Sequence, residues 1–173
     1  MKTLPRLISL ALCLIMILSC VIAGTVSAEE QLYTDVKPKR WSYEDIKYVT
    51  EKGLMNGTGD GKFSPAETMT RAMVVTVFYR LQGEPDVHYR ETFTDVKNNK
   101  WYSNAVTWAA ENGIVNGVGG GKFAPMETVT REQLATILMR YATTQYIITD
   151  DTADITGYAD YGRISNFAKD AMA

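Results

Sequence analysis

Cysteine and histidine are nearly absent from this 173-residue chain. Both cysteines, Cys13 and Cys20, lie in an apolar N-terminal segment, so the rest of the chain has no thiol for a disulfide, a cysteine metal site or a nucleophile. The single histidine, His88, lies in a linker and is not repeated. With no serine-histidine-acid set and no cluster of metal ligands, the sequence predicts no enzyme activity, no metal and no cofactor.

Long apolar runs are also missing, apart from the one that starts the chain. Residues 1–28 combine Lys2 and Arg6, an apolar run and small residues before Glu29, which predicts a cleaved signal peptide. A membrane anchor is the alternative, but the run is shorter than the roughly 20 residues of a spanning helix. A second alternative is lipidation of Cys20. After cleavage we expect no stable membrane insertion.

Blocks of basic residues are absent as well. Without Lys2 and Arg6 the chain has 16 basic and 20 acidic side chains, spread along its length. A nucleic-acid-binding surface needs a basic footprint, so the composition argues against a nucleic-acid partner.

An internal repeat organises the remainder. Residues 33–82 align with 93–142 at an offset of 60 without a gap, and 20 of these 50 positions are identical. A repeat of this length is typical of one supersecondary unit stacked on its copies. The predicted organisation has five segments: a signal peptide at 1–28, repeat 1 at 29–85, repeat 2 at 86–142, a linker at 143–157 and the truncated start of repeat 3 at 158–173.

Each repeat has the sequence pattern of a helix, a glycine-rich loop and a second helix, and this pattern predicts an all-α fold. The first helices are expected at about 42–52 and 103–112, with Gly53 and Gly113 as left-handed C-terminal caps. The second helices are expected to start after Thr70 and Thr130, where threonine can cap free amides. Their apolar stripes are expected to form the core: Met73, Val74, Val77, Phe78 and Leu81, and Leu134, Ile137, Leu138 and Tyr141.

Arg71 and Arg131 follow the capping threonines, where a helix N-terminus already carries partial positive charge. One interpretation is an anion site built from the arginine, the free amides and the preceding loop. The other is a structural salt bridge to Glu67 or Glu127, four residues upstream. The spacing does not decide between them.

The glycine loops 57–62 and 117–122 do not have the spacing of a nucleotide-binding P-loop. Asn56, Thr58, Asp60 and Glu67 fall at ligand positions of a calcium loop, but repeat 2 has valine and glycine at two of them. We expect the glycines to supply turns, with Phe63 and Phe123 anchoring each loop in the core.

The three tryptophans, Trp41, Trp101 and Trp108, are expected mainly in the core. The alternative is that the aromatic faces of some of them form a platform for sugar rings.

Several ordered motifs resemble the S-layer homology family. They are YTDV with Trp41, GLMNG, GKFSP and MTRAM in repeat 1, and FTDV with Trp101, GIVNG, GKFAP and VTREQ in repeat 2. The resemblance implies a secreted bacterial protein with a pseudo-threefold bundle of repeats. It also implies binding of a secondary cell-wall polysaccharide, often pyruvylated, in grooves between repeats.

The ligand residues that the resemblance implies are the motif arginines and their neighbourhood. They are Arg71, Arg131, Thr70, Thr130, Trp41, Trp101, Gly61 and Gly121. We therefore predict non-catalytic anchoring to an anionic wall polysaccharide at the cell surface.

Repeat 3 departs from the family pattern because it lacks its loop and its arginine. Self-association of the chain to complete this repeat is one expectation. A self-assembling S-layer or adaptor module without glycan binding is the alternative function.

Overall fold

The computed structural model describes residues 32–147 and 152–173, so the predicted signal peptide and Cys20 lie outside the described residues. The described part is helical and has no β-strand beyond isolated bridges, which confirms the all-α prediction. Among these residues, no helix is both long enough and apolar enough to cross a lipid bilayer. The helices are α1 (Tyr43–Glu51), α2 (Arg71–Leu81), α3 (Ser103–Glu111), α4 (Arg131–Thr144) and α5 (Lys169–Met172), with 3₁₀ turns at Tyr161–Arg163 and Asn166–Ala168.

The helix boundaries follow the caps read from the sequence. Thr70 and Thr130 accept hydrogen bonds from the backbone N–H groups of Met73 and Gln133, at 3.3 and 3.2 Å. The Gln133 side chain also accepts a bond from the Thr130 N–H at 3.2 Å, which completes a capping box. Gly53 and Gly113 both have a φ of 68°, the left-handed conformation expected after α1 and α3.

Helix α2 belongs to repeat 1 in sequence but packs against repeat 2. Its buried residues share one hydrophobic core with α3 and α4. The ring of Tyr79 lies 5.8 Å from that of Trp108, and Phe78 stacks on Tyr141 at 4.5 Å. A separate small cluster of Tyr33, Val36, Tyr43 and Ile46 holds the start of repeat 1. Each repeat therefore buries its second helix on the next repeat, which is how stacked repeats gain a continuous core.

Residues 158–173 continue this pattern. The turn at 166–168 and α5 pack against α4, as the start of repeat 2 packs against α2. The Glu132 carboxylate accepts a hydrogen bond from the Ser165 N–H at 3.0 Å, and this bond lowers the pKa of Glu132. The predicted threefold arrangement and the exact repeat boundaries remain predictions.

The apolar stripes do not lie wholly in the core, and this part of the prediction was wrong. Leu81 and Leu138 are exposed, while Met73 and Val77 are half-buried beside a surface groove. The packed face of α2 instead consists of Ala72, Val74, Val75, Phe78 and Tyr79. The reason is that α2 has a neighbour mainly on the side facing repeat 2.

Candidate functional site: grooves between successive repeats

Each glycine-rich loop is held in place by an aspartate from the start of the same repeat. The two carboxylate oxygens of Asp95 accept hydrogen bonds from the Phe123 and Ala124 N–H groups, both at 2.8 Å. Asp35 holds Phe63 and Ser64 in the same way, at 2.9 and 2.8 Å. The Thr-Asp-Val and Gly-Lys-Phe motifs therefore form one structural unit in each repeat.

These bonds shift the titration of both carboxylates in the same direction. The Phe63 amide is the main cause that lowers the pKa of Asp35. Burial raises the pKa of Asp95, but the amides of Phe123 and Ala124 outweigh it, so the net pKa also lies below the usual value.

We expect the lowered pKa values to make folding acid-sensitive. An unfolded aspartate takes up a proton near pH 4, but the folded ones do so only at lower pH, so stability present at neutral pH is lost as pH falls below about 4. Thermal unfolding between pH 7 and pH 3 would show this loss. The melting temperature of the Asp35→Asn/Asp95→Asn double variant should depend less on pH than that of the wild type, whereas the exposed control Asp86→Asn should behave as the wild type. If the melting temperature of the double variant falls as steeply as that of the wild type, these two carboxylates are not the cause of the acid sensitivity.

The N-terminus of α2 is not an open anion site, contrary to one of the two interpretations of Arg71. The Arg71 N–H donates to the Glu127 carbonyl and the Ala72 N–H donates to the Pro125 carbonyl, both at 2.9 Å. These amides are satisfied because the loop of repeat 2 lies across the helix end.

The Arg71 side chain is itself buried, with 4% of its surface exposed. Its Nε donates to the Phe123 carbonyl at 2.8 Å, and its guanidinium lies 4.7 Å from the centre of the Phe123 ring. Burial lowers the pKa of Arg71, while the nearby Glu127 and Asp95 carboxylates raise it. Arg71 thus joins the two repeats, although one of its surfaces also lines a groove described below.

Arg131 is in a different environment, because it is exposed. At the start of α2, the carbonyls of Glu127 and Pro125 accept hydrogen bonds from the first two amides of the helix. At the start of α4, no loop carbonyl of the described residues does the same. The two motif arginines are equivalent in sequence but not in structure.

Two grooves occupy equivalent positions in successive repeats. The first groove lies between the outer face of α2 and Trp101 of repeat 2, and its volume is about 650 Å³. The second lies between α4 and Phe167, with about 380 Å³. Eight residues of the first have counterparts 60 positions later in the second. Met55, Asn56, Gly57, Thr58, Met73, Thr76, Val77 and Arg80 correspond to Val115, Asn116, Gly117, Val118, Gln133, Thr136, Ile137 and Arg140.

Each groove is lined by an exposed aromatic ring from the following repeat and by an arginine from the preceding helix. Trp101 and Phe167 are exposed by 56% and 55%, and they are the residues paired when the start of repeat 3 is aligned with repeat 2. Arg80 and Arg140 lie in the C-terminal halves of α2 and α4 and line the same grooves. An exposed ring and a guanidinium in one groove are suited to a sugar with an anionic substituent.

The tryptophan prediction was right for one residue of three. Trp108 is in the core, but Trp101 lines the first groove and Trp41 is 86% exposed. Trp41 holds the position in repeat 1 that Trp101 holds in repeat 2, but no helix of the described residues faces it as α2 faces Trp101.

The remaining predicted ligand residues lie outside the two grooves. Thr70 and Thr130 act as helix caps. The carbonyls of Gly61 and Gly121 accept hydrogen bonds from the N–H groups of Thr34 and Thr94, at 2.8 and 2.9 Å. Within the described ranges, no group of three or more acidic, histidine or cysteine side chains is arranged to hold a metal ion.

Arg80 and Arg140 were missed in the sequence analysis. The signal was present, because both are among the 20 identities between repeats. An arginine that recurs outside the apolar stripe of a helix has no explanation in core packing, so this pair could have indicated a shared surface.

The described part of the chain is a helical repeat protein with grooves lined by aromatic rings and arginines between successive units. Residues 32–72 and 92–135 match the S-layer homology domain, and the chain belongs to this family. Domains of this family anchor proteins to the cell surface, are themselves non-catalytic and bind cell-wall polymers. The protein is secreted and attached to the bacterial cell surface.

The chain is similar to parts of much longer curated proteins. It is 32% identical over 99% of its length to an endoglucanase of Bacillus sp. strain KSM-635, covering 19% of that protein. It is 30% identical over 83% of its length to the surface-layer 125 kDa protein of Lysinibacillus sphaericus, covering 12%. It is 29% identical over 70% of its length to the S-layer protein sap of Bacillus anthracis, covering 15%. The chain therefore spans less than a fifth of each of these relatives.

Proposed function

We propose that the chain is a non-catalytic anchor that binds an anionic cell-wall polysaccharide in its inter-repeat grooves. The observation that carries this proposal is the recurrence of an exposed aromatic residue and an arginine at equivalent positions in the lining of both grooves. A pyruvylated polymer fits this chemistry because a pyruvate ketal presents a carboxylate on a sugar ring.

The second groove is the stronger candidate for the anionic substituent. Arg71 and Arg140 both line it, and no carboxylate is among its lining residues. Guanidinium binds carboxylate through paired hydrogen bonds, and Asn116 and Gln133 add polar groups for sugar hydroxyls. Arg131 does not line this groove, so its role as a ligand remains a prediction.

Binding to walls should depend on the polysaccharide and not on peptidoglycan. The signal-free protein is sedimented with purified cell walls before and after acid extraction of the secondary polymer. We expect the protein to pellet with intact walls and to stay in the supernatant with extracted ones. Equal pelleting with both preparations would show that the proposed ligand is wrong.

Self-association also remains a prediction. Residues 158–173, the start of repeat 3, pack against α4 of the same chain, and a second copy would have to supply the rest of this repeat.

A further inference from the structure

We propose that Asn56 and Asn116 are sites of spontaneous deamidation, and that the fold protects Asn112 from the same reaction. These are the three asparagines of the chain that are followed by glycine. The assignment of the sites does not depend on the proposed function. Its consequence for attachment rests on polymer binding in the grooves.

Deamidation at an Asn-Gly pair needs no enzyme. The backbone nitrogen of the glycine loses its proton and attacks the asparagine Cγ, the side-chain amide leaves as ammonia, and a succinimide ring forms. Water then adds to one carbonyl of the ring and opens it, which leaves aspartate or isoaspartate. Glycine favours the attack because it has no side chain to hinder it. A glycine N–H that donates a hydrogen bond must first break that bond, so such a bond protects the asparagine.

The end of α3 protects Asn112. The Gly113 N–H donates to the Ala110 carbonyl at 3.1 Å. The side chain is held as well, because Asn112 Nδ2 donates to the Trp108 carbonyl at 2.8 Å. Both bonds would have to break before a succinimide could form. Asn112 is exposed, so its protection comes from these bonds and not from burial.

Asn56 and Asn116 begin the glycine-rich loops and lack this protection. Both are exposed, as Asn112 is. Within the described residues, the N–H groups of Gly57 and Gly117 donate no hydrogen bond. The attacking nitrogen is therefore free at these two pairs and bound at the third.

The fold also requires glycine at both reactive pairs. A Cβ at Gly57 would collide with the Lys62 carbonyl, and one at Gly117 would collide with the Lys122 carbonyl. Both glycines have a positive φ, of 74° and 78°. A larger residue, which would slow deamidation, is excluded from these positions. The reactivity of the two asparagines thus follows from the loop geometry.

Deamidation would change the charge of both grooves, since Asn56 lines the first and Asn116 the second. The change is greater in the second groove, where Arg71 and Arg140 are present without a carboxylate. The first groove already has Glu67 in its lining. A carboxylate at position 116 would pair with the two arginines and repel an anionic polymer. Attachment through the second groove should therefore weaken as the protein ages.

Peptide mass spectrometry of the signal-free protein, aged in mildly alkaline buffer, tests the assignment of the sites. We expect Asn56 and Asn116 to convert to the acid at similar rates in the folded protein and in protein unfolded with guanidinium chloride. Asn112 should convert about ten-fold or more slowly when folded than when unfolded, because two hydrogen bonds must break. Protection of Asn56 or Asn116 to the same degree as Asn112, or loss of protection at Asn112, would overturn the assignment.

A variant that carries the product charge from the start tests the consequence for attachment. Asn116→Asp should bind intact walls about ten-fold or more weakly than the wild type, because its carboxylate competes for the arginines. Asn112→Asp adds the same charge outside both grooves and should bind as the wild type does. Wild-type binding by Asn116→Asp would show that deamidation does not weaken attachment. Absence of binding by the wild type itself would instead overturn the proposed function and leave the deamidation sites standing.

Discussion

Replacing Phe123 with alanine should destabilise the protein by about 3–5 kcal/mol, the usual cost of removing a fully buried phenylalanine. Phe123 has no exposed surface, and its ring lies 5.5 Å from the ring of Phe93. It also supports the buried Arg71 guanidinium that joins the two repeats. A loss of this size is a large fraction of the 5–15 kcal/mol typical of a folded domain.

Phe63→Ala is the matched control for this experiment. Phe63 has the same position in repeat 1 and a similar contact with Tyr33, at 5.3 Å, but it is only half-buried. Urea unfolding followed by circular dichroism should show a clearly smaller loss for Phe63→Ala. Equal losses for the two variants would contradict the view that the contact between repeats is centred on Phe123.

Arg140→Gln should weaken binding to cell walls about ten-fold or more and leave stability nearly unchanged. A hydrogen bond to a charged group is worth roughly 1.5–3 kcal/mol, and 1.4 kcal/mol corresponds to a factor of ten in affinity. Arg140 is half-buried on the groove wall and forms no ion pair within the described residues. Binding is measured by sedimentation with a range of wall concentrations.

Arg90→Gln is the control for the change of charge, because Arg90 is exposed and its ion pair with Glu111 lies outside both grooves. This variant should bind walls as the wild type does. Arg71 is less suitable for such a test, since its replacement also leaves the buried Phe123 carbonyl without a donor. Wild-type binding by Arg140→Gln would exclude the second groove as the anion site.

Much of the local structure was predictable from single residues. Thr70 and Thr130 determine where α2 and α4 begin, because their hydroxyls satisfy amides that no other group in the helix can satisfy. Gly53 and Gly113 mark the ends of α1 and α3 by their left-handed conformation. These signals act over a few residues, so the sequence pattern is sufficient to detect them.

The partners of each helix were not predictable in the same way. The apolar pattern of α2 indicates a buried face but does not say that this face lies on repeat 2. That pairing explains why Arg71 is buried while Arg131 is exposed, and why Leu81 lies outside the core. It also explains the exposed Trp101, whose ring faces the groove formed with α2. Arg80 and Arg140 became recognisable as groove residues only once this pairing was known.

Competition by soluble wall polysaccharide tests the role of the second groove most directly. The polymer released from walls is added to the protein and intact walls, either untreated or after chemical reduction of its carboxyl groups to alcohols. If Arg71 and Arg140 hold a carboxylate, the untreated polymer displaces the protein from walls and the reduced polymer does so at least ten-fold less effectively. Equal displacement by both polymers would show that the anionic group is not what the protein recognises.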